Sequence, residues 1–188
     1  MAEQSNAPVL QHPVFKLVKD RFPGVRLQGT EFRGQSTLIV PPSHSHQVLE
    51  FLKNDAACGF DFLSDVFGID YLNYPGKVPG RFAVVYNLVA TKRDDRFFVK
   101  VHVDPTLPTD GVANDPALVV ESVCDLWPGA EWPEREVFDM FGVRFNNHPD
   151  LRRILTWEEF PAHPLRKDYP VRGRGEREAY RVIDRTSA

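Results

Sequence analysis

Cysteine is scarce in this chain: Cys58 and Cys124 stand alone among 188 residues, and no C-x-x-C pair exists. An iron–sulfur cluster usually draws four thiolates from its protein, so the chain is expected to hold none, and two reduced, packed thiols are expected instead of a disulfide. No stretch approaches the ~20 consecutive apolar residues that cross a bilayer. The opening "MAEQSNAPVL" also lacks the basic region and apolar run of a secretory signal. A soluble, cytoplasmic protein without a membrane span is the expectation.

Charge of one sign is missing as well. The net charge is −3, with 12 basic and 15 acidic residues over positions 1–130 and 11 of each over 131–188. That balance argues against a dedicated nucleic-acid or membrane-surface binder, although the stretch 163–188 is locally basic. Two further signatures are absent: a G-x-G-x-x-G dinucleotide loop and a G-x-S-x-G nucleophile elbow.

What is present is apolar and aromatic. Apolar residues make up 42% and the chain carries 14 Phe, enough for a real core, while 16 Pro point to long ordered loops or arms. A chain of this length buries roughly 70% of its unfolded surface and needs no disulfide or metal to be stable. Pro13, Val14, Leu17, Val18 and Phe22 predict a short amphipathic helix ended by Pro23-Gly24. "VRLQGTEFRG" and "QSTLIVP" predict a hairpin turning near Gly34. Ser43 is placed to cap a second helix with an apolar face of Val48, Phe51 and Leu52. "GFDFLSDVFGIDYL" reads as a strand.

From Arg81 to Asp104, Phe82, Val84, Tyr86 and Leu88 alternate on one strand and Phe97, Val99, Val101 and Val103 on the returning one, predicting an antiparallel pair. Asp115-Pro116 predicts a third helix through about Leu126, and "PEREVFDMF" a fourth, opened by Pro133 and closed by Gly142. The expected fold class is therefore α+β, a two-layer sandwich of helices on a mixed, largely antiparallel sheet. Residues 1–142 are expected to form the domain, and 143–188 an extended C-terminal arm with short helical turns.

Two features carry the candidate chemistry. On the last helix, Val137, Phe138, Met140 and Phe141 share one sector while Arg135, Glu136 and Asp139 share the opposite one. Glu136 and Asp139 are close enough to act as an acid–base pair or share a cation, but the favoured reading is that acidic residues in a first turn complement the helix dipole, with Arg135 pairing to Asp139. Glu134 points into the apolar sector, so its burial would require an arginine or backbone N–H groups as partners. The second feature is a doublet: "HPDLRR" at His148 and "HPLRKD" at His163. Neither histidine sits in an H-x-x-H, H-x-x-x-H or Cys-rich setting, so imidazole–backbone hydrogen bonds are expected ahead of metal ligation. "RGRGER" at 172–177 is a single short copy of an RNA-binding-like tract, diluted by Glu176 and Glu178 and flanked by Tyr169 and Tyr180. Arginine forks and aromatic anchors on a proline-stiffened arm favour a binding or assembly protein over an enzyme.

"WPEREVFDMFGVRFNNHPDLRRIL" from Trp132, followed by "HPLRKDYP" from His163, strongly resembles the C-subunit family of the proton-pumping NADH:quinone oxidoreductase (NADH-quinone oxidoreductase), respiratory complex I. The family's motif residues fall on Glu134, Arg135, Glu136 and Asp139, on His148, Pro149, Asp150, Leu151, Arg152 and Arg153, and on His163, Pro164, Leu165, Arg166, Lys167 and Asp168. Ala162 stands where the family commonly has Gly, and Tyr169 where Phe is common; alanine would be strained if that position needed φ > 0. The resemblance implies a peripheral-arm component on the cytoplasmic side of the cell membrane, beside the quinone-site D-subunit and neighbouring iron–sulfur subunits. It implies no flavin, nucleotide or cluster on this chain, with FMN and iron–sulfur clusters elsewhere in the complex, and no nucleic-acid partner. Both His-Pro copies are then expected to be clasps that fix the arm. A membrane-bound hydrogenase or a ferredoxin-dependent relative of complex I would use a similar component.

Overall fold

A computed structural model describes residues 11–176. Helix α1 spans Val14–Arg21 and hides Val14 and Val18; Pro13 precedes it and Phe22 ends it, as the pattern predicts. Strands β1 (Gln28–Phe32) and β2 (Gln35–Val40) form the expected hairpin. Its two linking residues, Arg33 and Gly34, both have positive φ, 50° and 75°. That is the geometry that matches the right-handed strand twist in a two-residue turn. Helix α2 (Ser45–Asn54) follows a 3-10 turn over Pro42–His44. Ser43 lies inside that turn, bonded to the His44 ring, and does not cap α2. Pro42 starts the helical geometry before Ser43, so the serine is no longer at a boundary.

Strands β3 (Phe62–Asp70), β4 (Phe82–Ala90) and β5 (Asp95–Val103) complete a five-stranded sheet ordered β1-β2-β5-β4-β3. Every neighbouring pair is antiparallel except β2 with β5, so the sheet is mixed and largely antiparallel. Because side chains alternate across a strand, register assigns each residue a face. Val66, Tyr86, Val99 and Leu38 lie in one cross-strand row, and that face carries the core with Val48, Leu49 and Leu52 of α2. The two-layer expectation is met.

The predicted helix over 115–126 does not form. Strand β6 (Val119–Glu121) runs there instead, paired in parallel with β7 (Arg144–Asn146). Asp115 is not a helix cap: it accepts the backbone N–H groups of Thr106, Leu107 and Ala117 and the Thr106 hydroxyl, closing the preceding loop. Burial pushes that carboxyl up, but the Thr106 hydroxyl and the three N–H groups bring it down to about 2. With the cap position occupied, the β-branched pair Val119-Val120 takes the conformation it prefers.

Helix α3 (Glu131–Phe141) begins two residues before Pro133, because a 3-10 turn at Pro128–Ala130 already points the backbone into it. Gly142 ends it with φ 76°, the left-handed stop expected from sequence. α3 packs on β3, where Gly68 has no side chain and the Phe141 ring fills the space. After Asn146 the described chain runs in turns and irregular segments to Glu176. Ala162 is not among the residues with positive φ, so alanine is not strained there. Arg177 and Tyr180 of the RNA-like reading, with the rest of 177–188, lie outside the described residues.

Candidate functional site

Helix α3 and the doublet form one assembly. The last four carbonyls of a helix have no intrahelical donor and must find one elsewhere. Here Gly142 N–H donates to Phe138 O at 2.8 Å, His163 Nδ1 to Asp139 O at 2.8 Å, Leu165 N–H to Met140 O at 3.1 Å, and Arg166 Nε to Phe141 O at 2.7 Å. The second His-Pro copy is thus a cap that supplies three of the four donors. Arg166 also donates through Nη1 to Thr109 O (2.9 Å) and Gly111 O (3.3 Å), and lies over the Phe82 ring. A cation at the negative end of the helix is favourable. Burial pulls the Arg166 guanidinium down to about 10 and His163 down to about 4, so His163 is neutral.

The first copy grips the same helix from its side. Asp139 is completely buried. Its Oδ2 accepts three consecutive backbone N–H groups, Ile154 (3.0 Å), Leu155 (2.8 Å) and Thr156 (2.8 Å), while its Oδ1 accepts Arg153 Nη1 at 2.6 Å and the Thr156 hydroxyl. Desolvation pushes Asp139 up, but the Thr156 and Arg153 bonds outweigh it and hold the carboxyl below its usual value. Arg153 reaches on to Phe160 O and Ala162 O, so one guanidinium joins helix, first copy and second copy.

Several expectations about these residues are corrected. Asp139 is not on a solvated face with Glu136; Glu136 is exposed and Asp139 is sealed, so they are no acid–base pair. Arg135 does not pair with Asp139. It is buried and donates to the carbonyls of Arg152 (3.2 Å) and Arg153 (3.1 Å), because the segment 152–156 lies across the face that α3 alone would present to water. Arg152 itself points outward and pairs with exposed Asp150. Leu151 packs at the edge of the core. Pro149 and Lys167 are exposed and Pro164 is half-buried.

Glu134 meets the expectation for a buried carboxyl in its second form. It is wholly buried, and its partners are the Val123 N–H (2.8 Å) and Ser122 hydroxyl (2.7 Å) beside the Cys124 thiol (3.6 Å). Burial pushes Glu134 up to about 7 against those bonds. Cys124 Sγ, a Glu134 oxygen and a His148 ring nitrogen lie within 4.8 Å of one another, a spacing a metal could use. Each atom is already committed. His148 Nδ1 accepts the Asp150 N–H at 3.0 Å, so Nε2 carries the proton and donates to Glu131 O at 3.0 Å. The Cys124 thiol is pushed up to about 12, chiefly by burial, and Cys58 to about 11 for the same reason. Neither is a thiolate at neutral pH.

One participant was missed by sequence reasoning. Arg81 makes a two-pronged bond to Asp70 (3.0 and 2.8 Å) and a third to Asp168 at 3.0 Å, while the Lys167 N–H also donates to Asp70 at 2.8 Å. This ties the end of the second copy to the β3–β4 loop. The only sequence signal was an aspartate and an arginine at the two ends of that loop, which is too common to single out.

By fold and site, the chain is an α+β packing domain in which the segment around 152–166 is bolted to helix α3 by arginines turned away from water. The match to known proteins gives the family: residues 38–175 fit the model of the respiratory-chain NADH dehydrogenase 30 kDa subunit, and the chain belongs to that family. It is 41% identical over 181 residues to the NADH-quinone oxidoreductase C-subunit of Geobacter metallireducens, covering 96% of this chain and 98% of that one. It is 52% identical over 123 residues to NADH-quinone oxidoreductase subunit 5 of Thermus thermophilus, covering 61% of this chain; the chain spans about half (53%) of that relative's length. A solved trypsin-resistant fragment of Nqo5 superposes with a TM-score of 0.57 at 35% identity, covering 73% of this chain and 98% of the fragment. A chain of an archaeal membrane-bound sulfane sulfur reductase shares the fold, with a TM-score of 0.66 at 22% identity over 92% of each chain.

Proposed function

We propose that the chain is a scaffold subunit in the peripheral arm of a proton-translocating NADH:quinone oxidoreductase. It sits on the cytoplasmic side of the membrane beside the quinone-site D-subunit and iron–sulfur subunits, and it carries no flavin, cluster or active site of its own. The expected boundary between a domain over 1–142 and an arm over 143–188 moves later: the domain runs on through β7, which pairs with β6 and buries Val143 and Phe145, and the arm that reaches its neighbours follows it. The observation that carries this reading is the family match across 38–175, which contains both His-Pro copies. The chemistry of the site supports it: the histidines and arginines that could have served catalysis are spent on backbone carbonyls and one buried carboxylate. The arm meanwhile leaves Leu155, Trp157, Leu165 and Val171 exposed, apolar side chains suited to a partner's surface. Among the described residues, no helix is long and apolar enough to cross a membrane.

The test is capture of the tagged chain from native membranes under mild extraction, with an assay of NADH oxidation by quinone. Recovery with quinone-site and cluster-bearing subunits and inhibitor-sensitive activity is the expected result. Hydrogenase subunits in their place would keep the scaffold and replace the reaction, and recovery of the chain alone would overturn the proposal.

A further inference from the structure

The sheet has a second face, turned away from the helices. An antiparallel sheet with one face in water normally alternates apolar and polar residues, whereas a strand covered on both sides reads as a continuous apolar run. Strand β4, "FAVVYNLVA", is such a run, broken only by Asn87. Register places Phe62 and Phe67 of β3, Val85 and Val89 of β4 and Phe98 of β5 together on the outer face. Phe62 is 52% exposed and Phe67 37%. The helices' buried side chains join the opposite face, and the arm meets the sheet at Asp70, Arg81 and Phe82.

Asn87 stands in the middle of the outer face, between Asp65 and Phe98 in the pairing. Its Oδ1 is buried and has no hydrogen-bond partner among the described residues. A buried acceptor without a donor is costly, so the strands bear that cost in the middle of this face. Among the described residues, the charged groups that strands β3 to β5 place on this face are Arg96 and Lys100 of β5 and Asp65 of β3, two cations against one carboxylate. Lys100 is held on the Tyr71 hydroxyl, whereas Arg96 is exposed opposite Val89.

We infer that this outer face is the seat of an amphipathic helix from a neighbouring subunit, one that lays apolar side chains over Phe62, Phe67 and Val89 and brings a carboxylate to Arg96. The occupant forms the third layer that strand β4 is written for. Its acidic edge follows from the excess of cations; a second copy of this chain would bring the same excess against itself. The inference rests on the assembly role proposed above, because it takes its partner from that assembly, but it concerns a surface to which the doublet contributes no residue.

The test uses the full chain in its native complex. In hydroxyl-radical footprinting of the wild-type protein, Phe62 and Phe67 are expected to oxidise at least fivefold more slowly in the complex than in the isolated chain; equal rates overturn the inference. In tagged capture, Phe62→Asp combined with Phe67→Asp is expected to cut recovery of neighbouring subunits at least tenfold, and Arg96→Glu severalfold, while the thermal midpoint of each purified variant stays at the wild-type value. Full recovery with the double variant overturns this surface and leaves the assembly role standing, since wild type would still have captured its neighbours. Wild type capturing nothing overturns both. Light scattering that finds a dimer of the isolated chain, abolished by Phe67→Asp, would assign the face to a second copy and overturn the proposed partner.

Discussion

Replacing Asp139 with asparagine isolates a fully buried charge. In the native chain the carboxylate takes three backbone N–H bonds on Oδ2 and the Arg153 guanidinium with the Thr156 hydroxyl on Oδ1. An asparagine oxygen can keep the three N–H bonds, but its amide must then point two donors at Arg153 and Thr156. The Arg153 side chain is only 9% exposed, so its charge cannot turn to water. Loss of one partner from a buried pair typically costs about 3–5 kcal/mol. That is a large share of the roughly 5–15 kcal/mol that holds a domain together. Urea unfolding of the purified chain at pH 7 measures it directly, and adding Arg153→Met should return part of the loss by removing the stranded cation. The charge also sets an acid response: the folded carboxyl lies below its unfolded value, so its stabilisation is complete above the unfolded pKa and fades as pH falls through the folded one. The Asp139→Asn variant should lack this component. A loss under about 1 kcal/mol, or an unchanged acid limb, would refute the claim that this carboxylate clamps the arm.

Glu134→Gln should do the opposite. The folded carboxyl is raised to about 7 from 4.5, so native protein binds the extra proton between those values and loses stability as pH rises through them. Relative to wild type the Gln variant should be equal near pH 4.5 and more stable at pH 8, by about 3 kcal/mol at about 1.4 kcal/mol per pH unit; parallel pH–stability curves would contradict this. Gly142→Ala would place a Cβ 2.6 Å from His163 Nε2 and into Arg166, at φ 76°, so unfolding should be easier by more than about 2 kcal/mol and a trypsin cut within 143–176 faster. A wild-type cleavage rate would count against the cap.

The doublet shows what residue type and spacing leave undetermined. "HPDLRR" and "HPLRKD" look interchangeable, yet in the first copy the second arginine is buried and the first is solvated, while in the second copy the single arginine inserts at the helix end. Which guanidinium turns inward depends on the path of the backbone between Asp150 and Thr156, and that path is set by Asp139's demand for three successive N–H groups. Likewise, Glu134 is legible as a residue needing a donor, but the donors lie just beyond β6, a strand where the local pattern predicts helix.

Residue order alone is enough for the elements whose periodicity is local: α1, α2 and the β1–β2 and β4–β5 hairpins, together with the glycine stop at 142. Alternation and turn chemistry act within a few residues, so no distant partner is needed to read them. The motif around α3 also suffices for the family. Long-range packing, by contrast, makes 119–121 a strand, since its partner β7 lies beyond α3 in the chain, and makes Arg81 an anchor of the arm through Asp70 and Asp168. It also seals the polar side of α3. A helix's amphipathic pattern records which face meets the core, but an arm returning from later in the chain can bury the other face as well, and only the folded path says where its donors fall.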